Sequence, residues 1–303
     1  MEINKIKIAI CMVVVTILVL SATPCVIVTH DVSKNYEKRQ YDGPKIVFDD
    51  KSYFNNNIDN PNNRGEKGKP PQPPAVDRWA VVIGIADYPG WSSDLNYPDD
   101  DAIDMYYYLI SKGYPSSNIK LLIDNQARSG NIIKAIDWMN SQEKLETSEC
   151  VFFYSGHGTT YDGYNDGDSE YTDEGIVAAD FKIILDGQLR AKFSTFTSKK
   201  IAFVFDSCFS GGMNDLIGAW TSVTYTGRVI AAACGEDELS YDGESDLQNG
   251  VFTYYFMQEL NSHNIIEDAF NDAAPLATQY VLDHYEDTMT PFLYDTYTGT
   301  WQF

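Results

Sequence analysis

Basic residues are scarce in this chain of 303 residues, in which 22 lysines and arginines stand against 44 aspartates and glutamates and give a formal net charge of −22. Proteins that bind nucleic acid need basic patches to neutralise phosphates, so the composition argues against a nucleic-acid partner. A basic substrate or a divalent cation fits this balance better. A surface adapted to salt or to solubility would carry the same acidic surplus.

Cysteine and histidine are also few, with five and four residues. Cys11 and Cys25 belong to an apolar N-terminal segment, and Cys150 and Cys234 lie in apolar, strand-like runs where a buried thiol is the default. This distribution excludes a disulfide scaffold for the body of the protein. Cys208 alone is surrounded by small and polar residues.

The N-terminal segment, residues 1–29, contains 21 mostly apolar positions without a charge at 8–28, preceded by Lys5 and Lys7. Such a run is typical of a signal peptide or of a single membrane anchor. Thr23-Pro24 before Cys25 is a poor cleavage context, which favours the anchor. The lysines predict that the remaining chain faces outward. We therefore expect an extracytoplasmic protein, with this segment in the membrane if it is not cleaved.

Residues 30–76 are polar and contain an asparagine cluster and a group of prolines between 70 and 74. This composition predicts a stalk or linker with weak structure of its own. The predicted folded domain is therefore residues 77–303.

Strand and helix patterns alternate through this domain. Strands are predicted at 78–85, 119–123, 150–154, 201–205 and 228–233. Helices are predicted at 102–111, 129–142, 251–260 and 265–284. Short strands at 175–181 and 184–185, a short helix at 187–196 and an edge strand or hairpin within 290–303 complete the pattern. The alternation predicts an α/β fold with a mostly parallel central sheet flanked by helices.

Two of the predicted strands end in similar motifs. Residues 201–212, IAFVFDSCFSGG, begin as a continuous apolar run, typical of a strand buried on both faces, and then present Cys208. Residues 150–158, CVFFYSGHG, repeat the design and present His157, 51 positions earlier. Functional side chains gather at the carboxyl ends of parallel strands. We therefore expect the imidazole and the thiol to face each other.

A cysteine and a histidine in this arrangement can act as nucleophile and base. The thiolate is the reactive species, and a neighbouring imidazole can take the thiol proton and later protonate a leaving amine. The backbone N–H groups of Gly158 and Cys208 are the natural donors to an oxyanion. The sequence thus predicts a hydrolase with a cysteine nucleophile, against the alternative that His157 and Cys208 are structural.

The motifs YSGHG at 154–158 and DSCFSG at 206–211 resemble the histidine and cysteine motifs of caspase-like peptidases, most closely those of metacaspases and prokaryotic caspase-domain proteins of the peptidase C14 family. A spacing of about 50 residues is typical of caspases, although their Gln-Ala-Cys-x-Gly motif is absent here. The resemblance implies the caspase–haemoglobinase fold, a Cys208/His157 dyad and cleavage after a selected P1 residue, the residue on the amino side of the scissile bond.

The same resemblance implies a pocket for a basic P1 side chain, formed by Asp101, Ser155 and Asp206. The chemistry agrees, because two carboxylates in a half-buried pocket favour arginine or lysine and reject aspartate. Asp99 and Asp100 are alternatives to Asp101, since the family pattern has Gly-Cys where this chain has Tyr97-Pro98. Either of the two could instead cap the helix that follows.

Oxygen-bearing side chains are dense within residues 162–174, DGYNDGDSEYTDE. Hard oxygen ligands at this density suit calcium, although the order of an EF-hand is missing. The resemblance implies a calcium requirement, as in many metacaspases. The predicted ligands are Asp162, Asp166, Asp168, Asp173 and Glu174. A solvated acidic loop is the alternative interpretation.

These observations together predict a cysteine endopeptidase that cleaves after arginine or lysine and has a protein or peptide substrate. Basic residues between the two motifs would then be candidate sites of self-processing: Arg190, Lys192, Lys199 and Lys200. Two alternatives remain open. One is a peptidase of the same fold with asparagine or aspartate specificity, and the other is a non-catalytic caspase-like scaffold or binding domain.

Overall fold

The computed structural model describes residues 77–163 and 169–303. The predicted membrane segment 1–29, the linker 30–76, and Asp166 and Asp168 of the acidic loop lie outside the described residues. Within the described ranges, no helix combines the length and the apolar character that crossing a bilayer requires. The cysteines in these ranges, Cys150, Cys208 and Cys234, are buried and form no disulfide.

The described residues form nine strands and five α-helices. The strands are β1 (Arg78–Gly84), β2 (Ile119–Ile123), β3 (Glu149–Ser155), β4 (Gly158–Asp162), β5 (Thr172–Val177), β6 (Ile183–Leu185), β7 (Ile201–Asp206), β8 (Arg228–Ala232) and β9 (Phe292–Asp295). The helices are α1 (Pro98–Ser111), α2 (Ser129–Gln142), α3 (Asp186–Phe193), α4 (Val251–His263) and α5 (Ile266–Tyr285).

A six-stranded sheet in the order β2-β1-β3-β7-β8-β9 forms the centre of the fold. Its first five strands are parallel, and β9 pairs antiparallel with β8 at one edge. The mixed α/β architecture with a mostly parallel sheet is thus confirmed. A second, antiparallel sheet in the order β4-β5-β6 follows the histidine motif.

Helices cover both faces of the central sheet, which explains the unbroken apolar runs of its strands. Val82, Phe153 and Val204 pack on one face with α1, α4 and α5, and their chain neighbours pack on the other face with α2 and α3. Every residue of β3 and β7 is buried. Strands enclosed on both sides need apolar residues at every position, not only at alternate ones.

The structure departs from the sequence-based expectations at the start of α1 and at β4. Helix α1 begins at Pro98, four residues before the predicted start, and its N-cap is Tyr97 instead of Asp99 or Asp100. Proline fits the first helical position because its missing N–H would have no partner there, and acidic residues in the first turn favour the helix dipole. Strand β4 was not expected, because its five residues, GTTYD, are polar and mostly only half-buried or exposed.

Candidate active site

Strands β3 and β7 are adjacent and parallel, with Ser155 opposite Asp206. The histidine motif and the cysteine motif therefore both leave the sheet at the carboxyl ends of its parallel strands. A side-chain carbon on Gly158 would overlap the Cys208 carbonyl oxygen and would lie 3.2 Å from the Cys208 nitrogen. The backbones of the histidine and cysteine motifs are thus in direct contact, and both predicted oxyanion donors lie at this contact.

The His157 ring is fixed by a backbone carbonyl. Its Nε2 atom lies 2.8 Å from the carbonyl oxygen of Ser93. Because a carbonyl only accepts hydrogen bonds, Nε2 carries the hydrogen and Nδ1 keeps its lone pair. Burial lowers the pKa of His157, while the Ser93 carbonyl and Asp94 act in the opposite direction. The neutral imidazole is therefore favoured, with Nδ1 available as a base.

Two buried tyrosines hold the backbone of His157. The His157 N–H donates to the Tyr88 hydroxyl at 3.0 Å, and the Tyr154 hydroxyl donates to the His157 carbonyl at 2.7 Å. The Tyr88 ring also packs against the imidazole, with 4.6 Å between ring centroids. Tyr88 completes the arrangement by donating to the Val177 carbonyl at 3.0 Å. The histidine is thus positioned through its ring and through its backbone.

Cys208 occupies a tight turn after β7 and is 5% exposed. Its Sγ atom lies 3.8 Å from the carbonyl oxygen of Ser240. Phe209 follows in the left-handed region with φ of 62°, and a 3-10 helix begins at Ser210. The turn leads the chain out of the sheet at the carboxyl end of β7. The thiol therefore lies at the same end of the sheet as His157.

The three residues predicted to bind a basic side chain, Asp101, Ser155 and Asp206, lie close together near the carboxyl ends of β3 and β7. Ser155 Oγ donates to Asp101 Oδ2 at 2.7 Å. A side-chain carbon on Gly250 would overlap Asp206 Oδ2 and would lie 2.9 Å from Asp101 Oδ2. The carboxylates of Asp101 and Asp206 are therefore close neighbours, and both are buried. Asp99 and Asp100 are only partly buried, which favours Asp101 among the three candidates.

Neither of these two carboxylates forms an ion pair with a described residue. Asp101 accepts hydrogen bonds from the Asn249 side chain at 3.0 Å and the Gly250 N–H at 2.9 Å. Asp206 accepts them from Ser240 at 2.5 Å and from Thr253, through Oγ1 at 2.7 Å and N–H at 2.9 Å. Burial raises the pKa of both carboxyls, and the nearby Asp206 raises that of Asp101 further.

A small cavity of about 20 Å³ lies beside Cys208 and Asp206. It is lined by Leu95, Pro98, Ser155, Gly156, Asp206, Ser207, Cys208, Ser240, Tyr241, Asp242 and Gly250. Its volume suffices for about one water molecule. Asp242 was not predicted as a site residue; it lies in the loop between β8 and α4, where the sequence carries no recognisable motif.

Acidic residues also gather on the other side of the cysteine turn. We name Glu170, Asp173, Glu174 and Asp186 the acidic cluster; carboxylate oxygens of Glu170, Glu174 and Asp186 lie within 4.8 Å of one another. Asp173 and Glu174 are buried on β5, and Asp186 is buried at the start of α3. Asp162, by contrast, is exposed and accepts a hydrogen bond from Thr172 at 2.9 Å. Asp186 was missed because it follows β5 by a turn and a further strand.

Glu174 connects this cluster to the cysteine turn. A side-chain carbon on Gly212, four residues after Cys208, would overlap the Glu174 carboxylate. Burial, together with Glu170, Glu236, Asp173 and Asp237, raises the pKa of Glu174 to about 9. Its Oε2 atom is buried without a hydrogen-bond partner among the described residues. An uncompensated buried oxygen of this kind is costly unless a cation or a proton satisfies it.

Comparisons with known proteins agree with this architecture. The sequence profile of the caspase domain matches residues 77–277, more than half of the chain. Metacaspase-1 of Candida albicans is 31% identical over 156 residues, which is 45% of this chain and 34% of that protein. Metacaspase-2 of Trypanosoma brucei brucei is 32% identical over 151 residues, 45% of this chain and 42% of that protein. The matches thus span less than half the length of these relatives.

A solved structure resembles the fold as well. The crystal structure of protein GSU0716 from Geobacter sulfurreducens aligns with a TM-score of 0.53 and 17% sequence identity, and the alignment covers 74% of this chain and 94% of that one. At this identity the similarity concerns the fold alone.

Proposed function

The chain belongs to the caspase-domain family, and from that premise we propose that it is a cysteine endopeptidase that cleaves peptide bonds after arginine or lysine. One observation carries the proposal. Asp206 lines the cavity beside Cys208, Asp101 lies next to Asp206, and neither of these buried carboxylates forms an ion pair with a described residue. A cationic P1 side chain would supply the missing partner.

The proposed reaction follows from the contacts of His157. The imidazole Nδ1 takes the proton of the Cys208 thiol, and the thiolate attacks the carbonyl carbon of the scissile bond. Backbone N–H groups at Gly158 and Cys208 would stabilise the oxyanion that forms. The imidazolium then protonates the departing amine, and water hydrolyses the acyl-enzyme after His157 has removed its proton. The hydrogen bond from Nε2–H to the Ser93 carbonyl leaves Nδ1 unprotonated at the start of the reaction and holds the ring while Nδ1 gains and loses its proton.

Recognition of a basic P1 residue is supported by the electrostatics of the pocket. Two buried carboxyls with raised pKa values cannot both ionise cheaply in the absence of a cation. Entry of a guanidinium or ammonium group would release a proton and form charge-assisted hydrogen bonds. An aspartate at P1 would add a third negative charge and would be rejected.

The present cavity is too small for an arginine side chain, so binding must widen it. Its walls include Leu95 and Pro98 from the chain around the start of α1, and Ser240, Tyr241, Asp242 and Gly250 from the loop before α4. Separation of these two loops would open the pocket towards Cys208. We therefore include induced fit in the proposal.

Calcium activation is a further part of the proposal. The hard carboxylate oxygens of Glu170, Glu174 and Asp186 lie within 4.8 Å of one another and suit a calcium ion, and the buried Oε2 atom of Glu174 supports the fit. A bound calcium ion would offset two of the up to four negative charges of the cluster. Because Glu174 packs on Gly212, the charge of the cluster acts directly on the turn that carries Cys208.

Self-processing would follow from the same specificity. Arg190 is buried and ion-paired with Asp215. Lys200 contacts Glu149 at 2.6 Å, whereas Lys199 is exposed. Lys192 lies within α3 and forms an ion pair with Asp137 at 2.7 Å. We therefore propose that the favoured cut is after Lys199. The extracytoplasmic location expected from residues 1–29 belongs to this proposal too, and fractionation of cells into membrane, soluble and medium fractions tests it.

Cleavage of a peptide library varied at P1 tests the function. The full chain is incubated with calcium or with a chelator, beside Cys208→Ala as control. Products ending in arginine or lysine, formed by the native chain alone, are expected. Products ending in asparagine or aspartate would favour the alternative specificity. No product under either condition, together with no labelling of Cys208 by a thiol-reactive peptide probe, would favour a non-catalytic binding domain.

A further inference from the structure

Asp242 lies in the loop between β8 and α4 and lines the cavity beside Cys208, together with Asp206. Only 8% of Asp242 is exposed. None of the described residues that line this cavity is a lysine, an arginine or a histidine. Two carboxylates, those of Asp206 and Asp242, therefore line the cavity, and Asp101 lies next to Asp206.

We propose that Asp242 is a third carboxylate of the P1 pocket, one that contacts the basic side chain directly and sets the preference for it. This inference rests on the proposed function. It goes beyond it by assigning specificity to a loop that carries neither motif.

The contacts of Asp242 explain how it can serve a substrate. Its Oδ2 atom accepts a hydrogen bond from the Asn96 N–H at 2.7 Å. A carboxylate offers about four acceptor positions, so capacity remains for a guanidinium. No ion pair with a described residue satisfies its charge. The donors of an arginine side chain are matched to this kind of acceptor, since they form a planar fork.

The same hydrogen bond joins the two walls of the cavity. Asn96 belongs to the loop before α1, and Asp242 belongs to the loop before α4. These are the loops that must separate for a side chain to enter a space of about 20 Å³. When a basic residue reaches Asp242, its N–H groups can replace the hydrogen bond that the Asn96 N–H donates. Asp242 thereby couples opening of the pocket to the charge of the residue that enters.

The surroundings of Asp242 bring the pKa of its carboxyl group close to neutral pH. Burial raises its pKa to about 7, and Asp206 at the end of β7 and Asp99 in α1 act in the same direction. From α5, the Tyr285 hydroxyl donates to the Asp242 carbonyl at 2.8 Å. Because the group is an acid, its charged form gains population as the pH rises through this value. Discrimination in favour of a basic P1 residue should rise with it.

The test compares two peptides that differ only at P1, one with arginine and one with citrulline, its neutral counterpart. We measure kcat/KM for both between pH 6 and 8 on the full chain with calcium. The variant is Asp242→Asn, and the matched control is Asp246→Asn, on the same loop but exposed. The ratio of the two kcat/KM values cancels effects on Cys208 and His157.

We expect Asp242→Asn to lower the arginine-to-citrulline ratio about tenfold at pH 8, mainly through KM for arginine, and to flatten the rise of the ratio around pH 7. Asp246→Asn should behave as the native chain. An unchanged ratio and pH profile in Asp242→Asn, or an equal loss for both peptides, would overturn the assignment of Asp242 alone. Failure of the native chain to cleave either peptide would overturn the proposed function and the inference with it.

Discussion

Gly158 and Cys208 touch through their backbones, so closely that position 158 has no room for a side chain. Gly158→Ala should therefore displace the cysteine turn from the histidine. A misplacement of about 1 Å can cost 100-fold in rate, and we expect kcat/KM to fall by about that factor or more. Peptide cleavage measures it.

Gly130→Ala provides the matched control, because a side-chain carbon at Gly130 would meet nothing within 4 Å. This change within helix α2 should leave activity as it is and should raise stability slightly. Equal activity of the two alanine variants would contradict the close contact at Gly158.

Tyr88→Phe removes the acceptor of the His157 N–H. A buried donor without a partner costs about 1–3 kcal/mol, and the imidazole loses part of its support. We expect a roughly tenfold lower kcat with little change in KM, as for a residue that positions the base. Tyr107→Phe, on an exposed tyrosine of α1, is the control. A change in KM alone would point to a role in substrate binding instead.

Asp206→Asn retains the volume of the side chain and removes its charge. Cleavage after arginine and lysine should fall at least about 100-fold, since a charge-assisted pair in a buried pocket is lost. Alkylation of Cys208 by iodoacetamide, monitored by mass spectrometry, should persist and report an intact turn. Asp268→Asn, on the exposed start of α5, serves as control. Undiminished cleavage after arginine would refute the pocket.

Calcium should raise the melting temperature if the acidic cluster binds it. At 100 times the dissociation constant, the expected stabilisation is about 2.7 kcal/mol. Glu174→Gln removes the buried carboxylate and should abolish most of the shift, whereas Glu244→Gln, at an exposed position, should keep it. Scanning calorimetry with calcium and then with a chelator measures both. The same shift in Glu174→Gln as in the native chain would place the ion elsewhere.

The central sheet could be predicted from the sequence because parallel strands that are buried on both faces consist of unbroken runs of apolar residues. β1, β2, β3, β7 and β8 were all expected within one residue or so of their observed ends. The start of α1 was not, since three consecutive aspartates compete as caps while Pro98 already occupies the first turn. Strand β4 was not predicted because its half-exposed polar residues show no periodic pattern of apolar positions.

Prediction of the site was limited by tertiary structure. The motifs of His157 and Cys208 sit at strand ends, where residue type and position together carry a signal. Ser93 contributes its backbone carbonyl, and every residue has such a group, so the residue type could not predict this contact with His157. Asp186 and Asp242 arrive from a later helix and a later loop, and only the path of the chain brings them to their partners.

The pairing of β3 with β7 has a consequence for a cut chain. His157 precedes Lys199 and Cys208 follows it, so a break there would leave the two side chains of the proposed dyad on separate polypeptides. Six paired positions between β3 and β7, in the middle of the sheet, would still hold the pieces together. A nicked preparation should therefore run as one species on a native gel and as two bands after denaturation, while retaining its activity.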